Sequence, residues 1–79
     1  MREHVVIVGS GMMGSGIAAM AALAGNPTIL VDLDLQKAQA GRSRAEDCIA
    51  LRQKNGLNTE EEANRARGLI SVSTDIEEA

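Results

Sequence analysis

The residues of this chain best suited to hold a charged ligand are three glycines near its amino terminus. Residues 9–14 read Gly-Ser-Gly-Met-Met-Gly, the spacing G-x-G-x-x-G. Gly9 would let the chain turn sharply, Gly11 would let a pyrophosphate approach the backbone, and Gly14 would let a helix lie close against a strand. A turn of this composition, placed between a strand and a helix, is typical of dinucleotide binding.

The residues between the glycines would supply the contacts to the phosphates. Backbone N–H groups of Met12 and Met13 open the predicted helix, where unpaired donors and the helix dipole favour negative charge. The hydroxyls of Ser10 and Ser15 are further candidate donors, although serine in such a turn is as often only a small residue. A Walker-type phosphate loop is excluded, because no Gly-Lys-Ser/Thr follows.

A carboxylate completes the pattern. Asp32 follows the second apolar run, 18 residues after Gly14. It would accept hydrogen bonds from the ribose of an adenosine and repel a 2′-phosphate, so the pattern predicts NAD rather than NADP. Asp34 is more typical of a helix N-cap than of a second ribose ligand. A glycine-rich turn that binds no ligand is the alternative interpretation.

The elements that would position these residues form a parallel α/β pattern. Val5–Val8 is a continuous apolar run, which predicts a strand covered on both faces. A second strand is predicted at Thr28–Val31, and a third over residues 69–74, whose alternation from Ile70 onward predicts a less covered face. Helices are predicted over residues 12–24, over Leu35–Lys54 and from residue 59 to about residue 67.

Capping signals mark the predicted helix ends. Gly25 suits the position after the first helix, Asp34 caps the second, and Thr59 with Glu62 forms a capping box for the third. Gly68 is expected to stop that third helix, and residues 74–77 form a second capping box that announces a further helix. The second helix would carry its packing residues on a thin stripe: Leu35, Ala38, Arg42, Ala45, Cys48, Ile49 and Arg52.

The composition excludes several classes of function. The 79 residues include no Phe, Tyr or Trp and carry a net charge of -3, which leaves neither stacking platforms nor a basic surface for nucleic acid. Cys48 is the single cysteine, so an internal disulfide is excluded and a cytoplasmic, reducing setting is expected. His4 has no second histidine to share a metal, and no stretch suits a membrane span, so neither a metal nor a membrane is expected.

The chain resembles the amino-terminal NAD-binding domain of the 3-hydroxyacyl-CoA dehydrogenase family. The resemblance rests on residues 6–18, Val-Ile-Val-Gly-Ser-Gly-Met-Met-Gly-Ser-Gly-Ile-Ala, and continues through residues 23–25 and 30–32. It implies an enzyme that interconverts L-3-hydroxyacyl-CoA and 3-ketoacyl-CoA by hydride transfer to NAD, in fatty-acid or butanoate metabolism. It also implies that the catalytic residues lie further along a longer chain, so that this segment holds none of them and is inactive alone.

The same resemblance implies that a helical hairpin, at about residues 35–67, flanks a cleft for the CoA of an acyl-CoA substrate. Lys54 lies near the predicted tip of that hairpin. It would then either meet a CoA phosphate or be an ordinary surface lysine.

These patterns together predict the fold class and the assembly. We expect a partial Rossmann fold, β-α-β-αα-β with parallel strands, in which residues 1–79 form the first part of a dinucleotide-binding domain truncated before its fourth strand. The usual strand order leaves the first strand with a bare apolar edge, which predicts a dimer or larger homo-oligomer. Two alternatives stay open: a non-catalytic NAD-binding or assembly module, and a related dehydrogenase acting on a hydroxy acid or sugar acid.

Overall fold

Strands and helices alternate along the chain in the order expected for a Rossmann fold. The structure, a computed structural model, describes residues 4–9 and 11–75. Within them the elements are β1 (Val5–Val8), α1 (Met12–Leu23), β2 (Thr28–Val31), α2 (Leu35–Lys54), α3 (Glu60–Leu69) and β3 (Ile70–Ser73).

The three strands form one parallel sheet in the order β1-β2-β3. Val5 of β1 lies opposite Thr28 of β2, which in turn lies opposite Ile70 of β3. Because the strand order advances in one direction and such crossovers are right-handed, the connecting helices lie on the same face of the sheet. The predicted partial Rossmann fold is confirmed, including the position of β1 at an edge.

The core between the helices and the sheet is built mostly from alanine. Small side chains let the three helices approach closely, and the only large fully buried apolar side chains in the described residues are Leu30 and Ile49. The core residues are Ala18, Ala19, Ala22, Leu30, Ala45, Ile49, Ala63, Ala66 and Ile70, with Cys48 packed against them. Because alanine side chains are small, this core is close-packed only if the backbones of the helices and the sheet approach each other closely.

Four of the predicted capping residues, Asp34, Thr59, Glu62 and Gly25, act as the sequence predicts. The Asp34 carboxylate accepts a hydrogen bond from the Gln36 N–H at 2.8 Å, which caps α2. The Thr59 hydroxyl accepts from the Glu62 N–H at 3.1 Å, and the Glu62 carboxylate accepts from the Thr59 N–H at 2.8 Å, a complete capping box. Gly25, just after α1, has φ 95°, a conformation that a side chain would disfavour.

Several predicted element boundaries are wrong. Helix α1 ends at Leu23, one residue early, and β3 spans only Ile70–Ser73. Gly68 does not stop α3, which continues to Leu69. The end is set instead by Ile70, whose backbone is extended because it pairs with Thr28 in the sheet. The second capping box extends into residues 76 and 77, outside the described residues.

Two predictions about buried faces are also wrong. Strand β1 is not covered on both faces, since Val6 and Val8 are 39% and 65% exposed on the face away from the helices. Leu35 is half exposed rather than part of the buried stripe of α2, and Gly41 is buried there in addition to Ala38, Ala45 and Ile49. By contrast, β3 alternates as expected over its first two residues, with Ile70 buried and Ser71 exposed, whereas Val72 and Ser73 are both half-buried.

No helix in residues 4–9 and 11–75 is long and apolar enough to cross a membrane. The same residues contain no group of three or more His, Cys, Asp or Glu side chains that could hold a metal ion.

Candidate functional site

The glycine-rich turn is tied directly to the end of the neighbouring strand. Gly9 has φ 86°, a conformation that strongly favours glycine, and its N–H donates to the carbonyl of Val31 at 2.8 Å. The sharp turn predicted for Gly9 therefore starts where β1 leaves the sheet. Ser10 lies outside the described residues.

Gly14 lies in the closest contact between α1 and the turn. A Cβ added at this position would be 2.5 Å from the carbonyl oxygen of Gly9 and 3.1 Å from Cγ2 of Ile7. Real Cβ atoms do not come so close to backbone, so a side chain here would force the helix away from the strand. This is the close packing of helix on strand that the third glycine of the pattern predicts.

Gly11 has the opposite environment. It is the N-cap of α1 with φ -68°, and a Cβ added there would meet nothing within 4 Å. The described chain would therefore accept a side chain at position 11. A small residue is needed there only if something else approaches the backbone from the open side.

The amino terminus of α1 presents backbone donors on this open side. The first hydrogen bond of the helix runs from the Ser15 N–H to the Gly11 carbonyl at 2.9 Å. The N–H groups of Met12, Met13 and Gly14 precede it and so have no acceptor within the helix. The first turn of α1 has no acidic side chain of its own, so no residue of that turn neutralises the positive end of the helix dipole.

Hydrogen bonds show which role Ser15 and Asp34 have in the fold, for each of which the sequence left a ligand contact and a structural role open. Ser15 is buried, and its hydroxyl donates to the Gly11 carbonyl at 2.9 Å rather than projecting toward the open side. Asp34 uses its carboxylate to cap α2, as described above. These contacts favour packing and capping roles over ligand contacts for both residues.

Asp32 and the glycine-rich turn line the same cavity. The cavity has a volume of about 530 Å³, lies at the carboxyl ends of the strands, and is lined by Val8, Gly9, Val31, Asp32, Leu33, Thr74 and Asp75. The backbone of Asp32 is held by its N–H, which donates to the Ser73 carbonyl at 3.2 Å. A crevice at this edge of an open parallel sheet is where such folds bind ligands.

The sequence did not indicate Leu33, Thr74 or Asp75 as residues of this cavity. Leu33 lies beside Asp32 and is almost fully exposed. The other two follow β3, which lies next to β2. The predicted strand order would have located them, because residues that follow neighbouring parallel strands leave the sheet at the same edge.

An apolar groove lies between α1 and α2 on the outer side of the helices. One part, about 640 Å³, is lined by Met13, Gly16, Ile17, Met20, Ala21 and Cys48. An adjoining part, about 340 Å³, shares Gly16 and Cys48 and is lined further by Ser15, Arg44, Asp47 and Leu51. Met13 begins this groove and also belongs to the glycine-rich turn, so the groove opens next to the candidate phosphate site.

Comparison with known proteins gives the family of this chain. Residues 4–79 match the family model described as 3-hydroxyacyl-CoA dehydrogenase, NAD binding domain. The chain belongs to this family. A probable 3-hydroxybutyryl-CoA dehydrogenase of Bacillus subtilis is 36% identical over 77 residues, which are 98% of this chain and 27% of the relative.

Two further proteins are similar to this chain of the 3-hydroxyacyl-CoA dehydrogenase family. The peroxisomal fatty acid beta-oxidation multifunctional protein MFP2 of Arabidopsis thaliana is 33% identical over 75 residues, 95% of this chain and 10% of that protein. The crystal structure of FadB2 from Mycobacterium tuberculosis superposes with a TM-score of 0.88 at 35% identity, over 99% of this chain and 27% of that one. The chain thus spans about a quarter of the length of its dehydrogenase relatives.

The family match confirms NAD as the expected cofactor, and the geometry fits it. The described residues provide a tight turn at Gly9, space above Gly11 and backbone donors at the start of α1. Asp32 lies on the cavity that the turn opens into. These are the features that a dinucleotide with a pyrophosphate and a ribose diol requires.

Proposed function

We propose that this chain provides the NAD site of an enzyme that interconverts L-3-hydroxyacyl-CoA and 3-ketoacyl-CoA in fatty-acid or butanoate metabolism. The observation that carries the proposal is the shared cavity of Gly9 and Asp32, in a chain of the 3-hydroxyacyl-CoA dehydrogenase family. In this proposal residues 1–79 are the first part of the dinucleotide-binding domain, with α2 and α3 as its helical hairpin. Bound NAD would accept the hydride of the reaction.

The proposed cofactor contacts divide between backbone and side chain. The pyrophosphate would lie over the turn at residues 9–14, against the N–H groups of Met12 and Met13 and within reach of Ser10. Asp32 would accept hydrogen bonds from the ribose hydroxyls. The site residues we propose are Gly9, Ser10, Gly11, Met12, Met13, Gly14 and Asp32.

We expect no turnover from the 79-residue chain alone. Its single histidine, His4, precedes β1 and lies at the amino end of the strand, about 13 Å from the carboxyl edge at about 3.3 Å per residue. A proton acceptor at that end of the sheet cannot reach a substrate in the cavity. The chain would therefore bind and orient the cofactor, and the general base would come from elsewhere in the enzyme.

We propose that the acyl chain of the acyl-CoA substrate lies in the groove between α1 and α2. Met13, Ile17 and Met20 are about half or more exposed there, an apolar surface that suits an acyl chain. The groove starts at the glycine-rich turn, which would bring the substrate next to the cofactor. Lys54, exposed at the end of α2, would lie toward the CoA end of such a substrate.

Isothermal titration calorimetry with NAD and NADP tests the proposed cofactor site. We expect NAD to bind, NADP to bind more weakly, and Gly11→Ala to weaken NAD binding by at least about tenfold, or about 1.4 kcal/mol. Apart from its chain neighbours, the added methyl group meets nothing within 4 Å in the part of the chain that the structure describes, so we expect a loss to report the approach of the ligand. Gly68→Ala is the matched control. An added Cβ at Gly68 also meets nothing within 4 Å, and Gly68 lies on α3 and not in the glycine-rich turn.

NAD affinity of the Gly11→Ala variant equal to that of the Gly68→Ala variant would count against the placement of the pyrophosphate. The stability of both variants, measured by urea unfolding, should stay within about 1 kcal/mol of the parent protein.

We further propose that the chain forms a dimer or larger homo-oligomer in a cytoplasmic, reducing compartment. Among the described residues no strand pairs with the outer side of β1, and this open edge, with the exposed Val6 and Val8, supports the assembly. The single cysteine supports the compartment, because a chain that relies on an oxidising environment commonly pairs its cysteines.

A further inference from the structure

Residues that follow all three strands line the cavity that contains Asp32. Asp32 and Leu33 follow β2, whereas Thr74 and Asp75 follow β3. Because Val31 lies opposite Ser73 in the parallel register, the two segments leave the sheet at the same level. The cavity thus has a second carboxylate, Asp75, in addition to the carboxylate proposed to bind the ribose.

Ser73 of β3 forms hydrogen bonds with the backbone of both Asp32 and Asp75. The Ser73 hydroxyl accepts a hydrogen bond from the Asp75 N–H at 3.1 Å and donates to the Asp75 carbonyl at 3.2 Å. The Ser73 carbonyl accepts from the Asp32 N–H at 3.2 Å. The positions of the two acidic residues are therefore coupled through Ser73.

Leu33 indicates which end of the ligand meets these carboxylates. Leu33 follows Asp32 in the sequence. It lines the same cavity and is 97% exposed. An exposed apolar side chain at a cavity wall suits contact with the flat face of a base, whereas the turn at Gly9 suits phosphates. The adenosine of a dinucleotide would accordingly occupy the end of the cavity with Asp32 and Asp75.

We propose that Asp75 is a specificity-determining residue, which acts with Asp32 to disfavour a phosphate on the 2′-hydroxyl of the adenosine. This inference rests on the dinucleotide function proposed above. A phosphate monoester carries about two negative charges near neutral pH. Each carboxylate within about a Debye length, about 8–10 Å at moderate salt, adds repulsion that salt weakens. Asp32 contacts the ribose in this scheme, whereas Asp75 acts through its charge.

Calorimetric titration of the chain with NAD and with NADP tests the role of Asp75. We expect Asp75→Asn to tighten NADP binding about three- to tenfold while NAD binding changes less than about twofold. The gain should shrink when NaCl is raised from about 0.05 M to about 0.5 M, because the repulsion is screened. Glu61→Gln is the matched control, since it removes one exposed carboxylate from α3, away from the cavity.

The outcomes separate the inference from the proposed function. If the parent protein binds neither nucleotide, the dinucleotide function fails and the inference fails with it. Suppose that the parent binds NAD, but adding Asp75→Asn changes the NADP-to-NAD affinity ratio neither of the parent nor of the Asp32→Asn variant. Then only the role of Asp75 is wrong. An equal shift in Glu61→Gln would also overturn it, because the effect would then follow net charge and not position.

Discussion

Glycines of the same helix have different physical functions in this chain. Gly14 and Gly16 lie two residues apart in α1, yet an added Cβ would collide with the Gly9 carbonyl only at position 14. Gly14 is thus required by the fold itself, whereas Gly11 is open toward the proposed ligand. One side chain of the described residues, that of Arg42, has a buried polar atom whose environment is unfavourable.

The contrast between Gly14 and Gly16 predicts opposite effects of alanine on stability. Gly14→Ala should lower the free energy of unfolding by about 1–3 kcal/mol, because the methyl group overpacks the contact between α1 and the turn. Gly16→Ala should raise it by about 0.5–1 kcal/mol, since alanine favours a helix and its Cβ meets nothing within 4 Å. Urea unfolding followed by circular dichroism measures both. Equal destabilisation by the two substitutions would contradict the packing described for Gly14.

The buried guanidinium nitrogen of Arg42 leads us to expect that a substitution at this position stabilises the fold. Its Nε is buried and has no hydrogen-bond partner among the residues that the structure describes. A buried donor without an acceptor costs about 1–3 kcal/mol, part of which an apolar side chain of similar length would restore. We expect Arg42→Met to raise the free energy of unfolding by up to about 1 kcal/mol. Lys54→Met, which removes a positive charge from an exposed site on the same helix, should give no such gain.

At the scale of elements, side-chain caps define where two of the helices begin. Helices α2 and α3 both begin with side-chain caps, at Asp34 and Thr59. These caps are local, so their residues can be recognised in the sequence. The cap on α3 contributes to stability in a pH-dependent way, because hydrogen bonds from the Thr59 N–H and hydroxyl lower the pKa of the Glu62 carboxyl below its ordinary value of 4.5.

The lowered pKa of Glu62 predicts acid sensitivity of α3. In the unfolded chain Glu62 binds a proton more readily than in the folded one, so lowering the pH favours unfolding. The contribution of the carboxylate is complete above about pH 4.5 and is lost as the pH falls through the lower folded-state pKa. The free energies of unfolding of the parent and of Glu62→Gln should therefore converge in that acid range. A difference independent of pH would show that the carboxylate charge contributes nothing.

The sequence predicted the elements of this fold better than their limits and faces. The existence of the three strands and the N-caps at Asp34 and Thr59 follow from local patterns and are confirmed. The end of α3 was misplaced because pairing of Ile70 with Thr28, a contact distant in sequence, outweighs the local signal of Gly68. The buried faces of β1 were misjudged because an apolar run does not reveal on how many sides other elements pack.

At the scale of the whole molecule, all connecting helices lie on one face of the sheet. The other face leaves Val6 and Val8 exposed, and β1 has no strand beyond it in the described residues. The N–H groups of Val5 and Gly9 donate to the β2 side, so those of Val6 and Val8 point to the open edge by the alternation of a strand. An edge and a face of this kind together favour pairing with a second copy.

This arrangement predicts that one lysine on β1 reduces self-association. Val8→Lys should weaken the proposed dimer by at least about tenfold, because it places two like charges near each other and removes apolar contact. Sedimentation velocity at high micromolar concentration measures the change. Leu57→Lys is the control, since Leu57 is about as exposed as Val8 but lies in the segment between α2 and α3. A parent protein that sediments as a monomer, or equal weakening by both substitutions, would show that β1 does not form the interface.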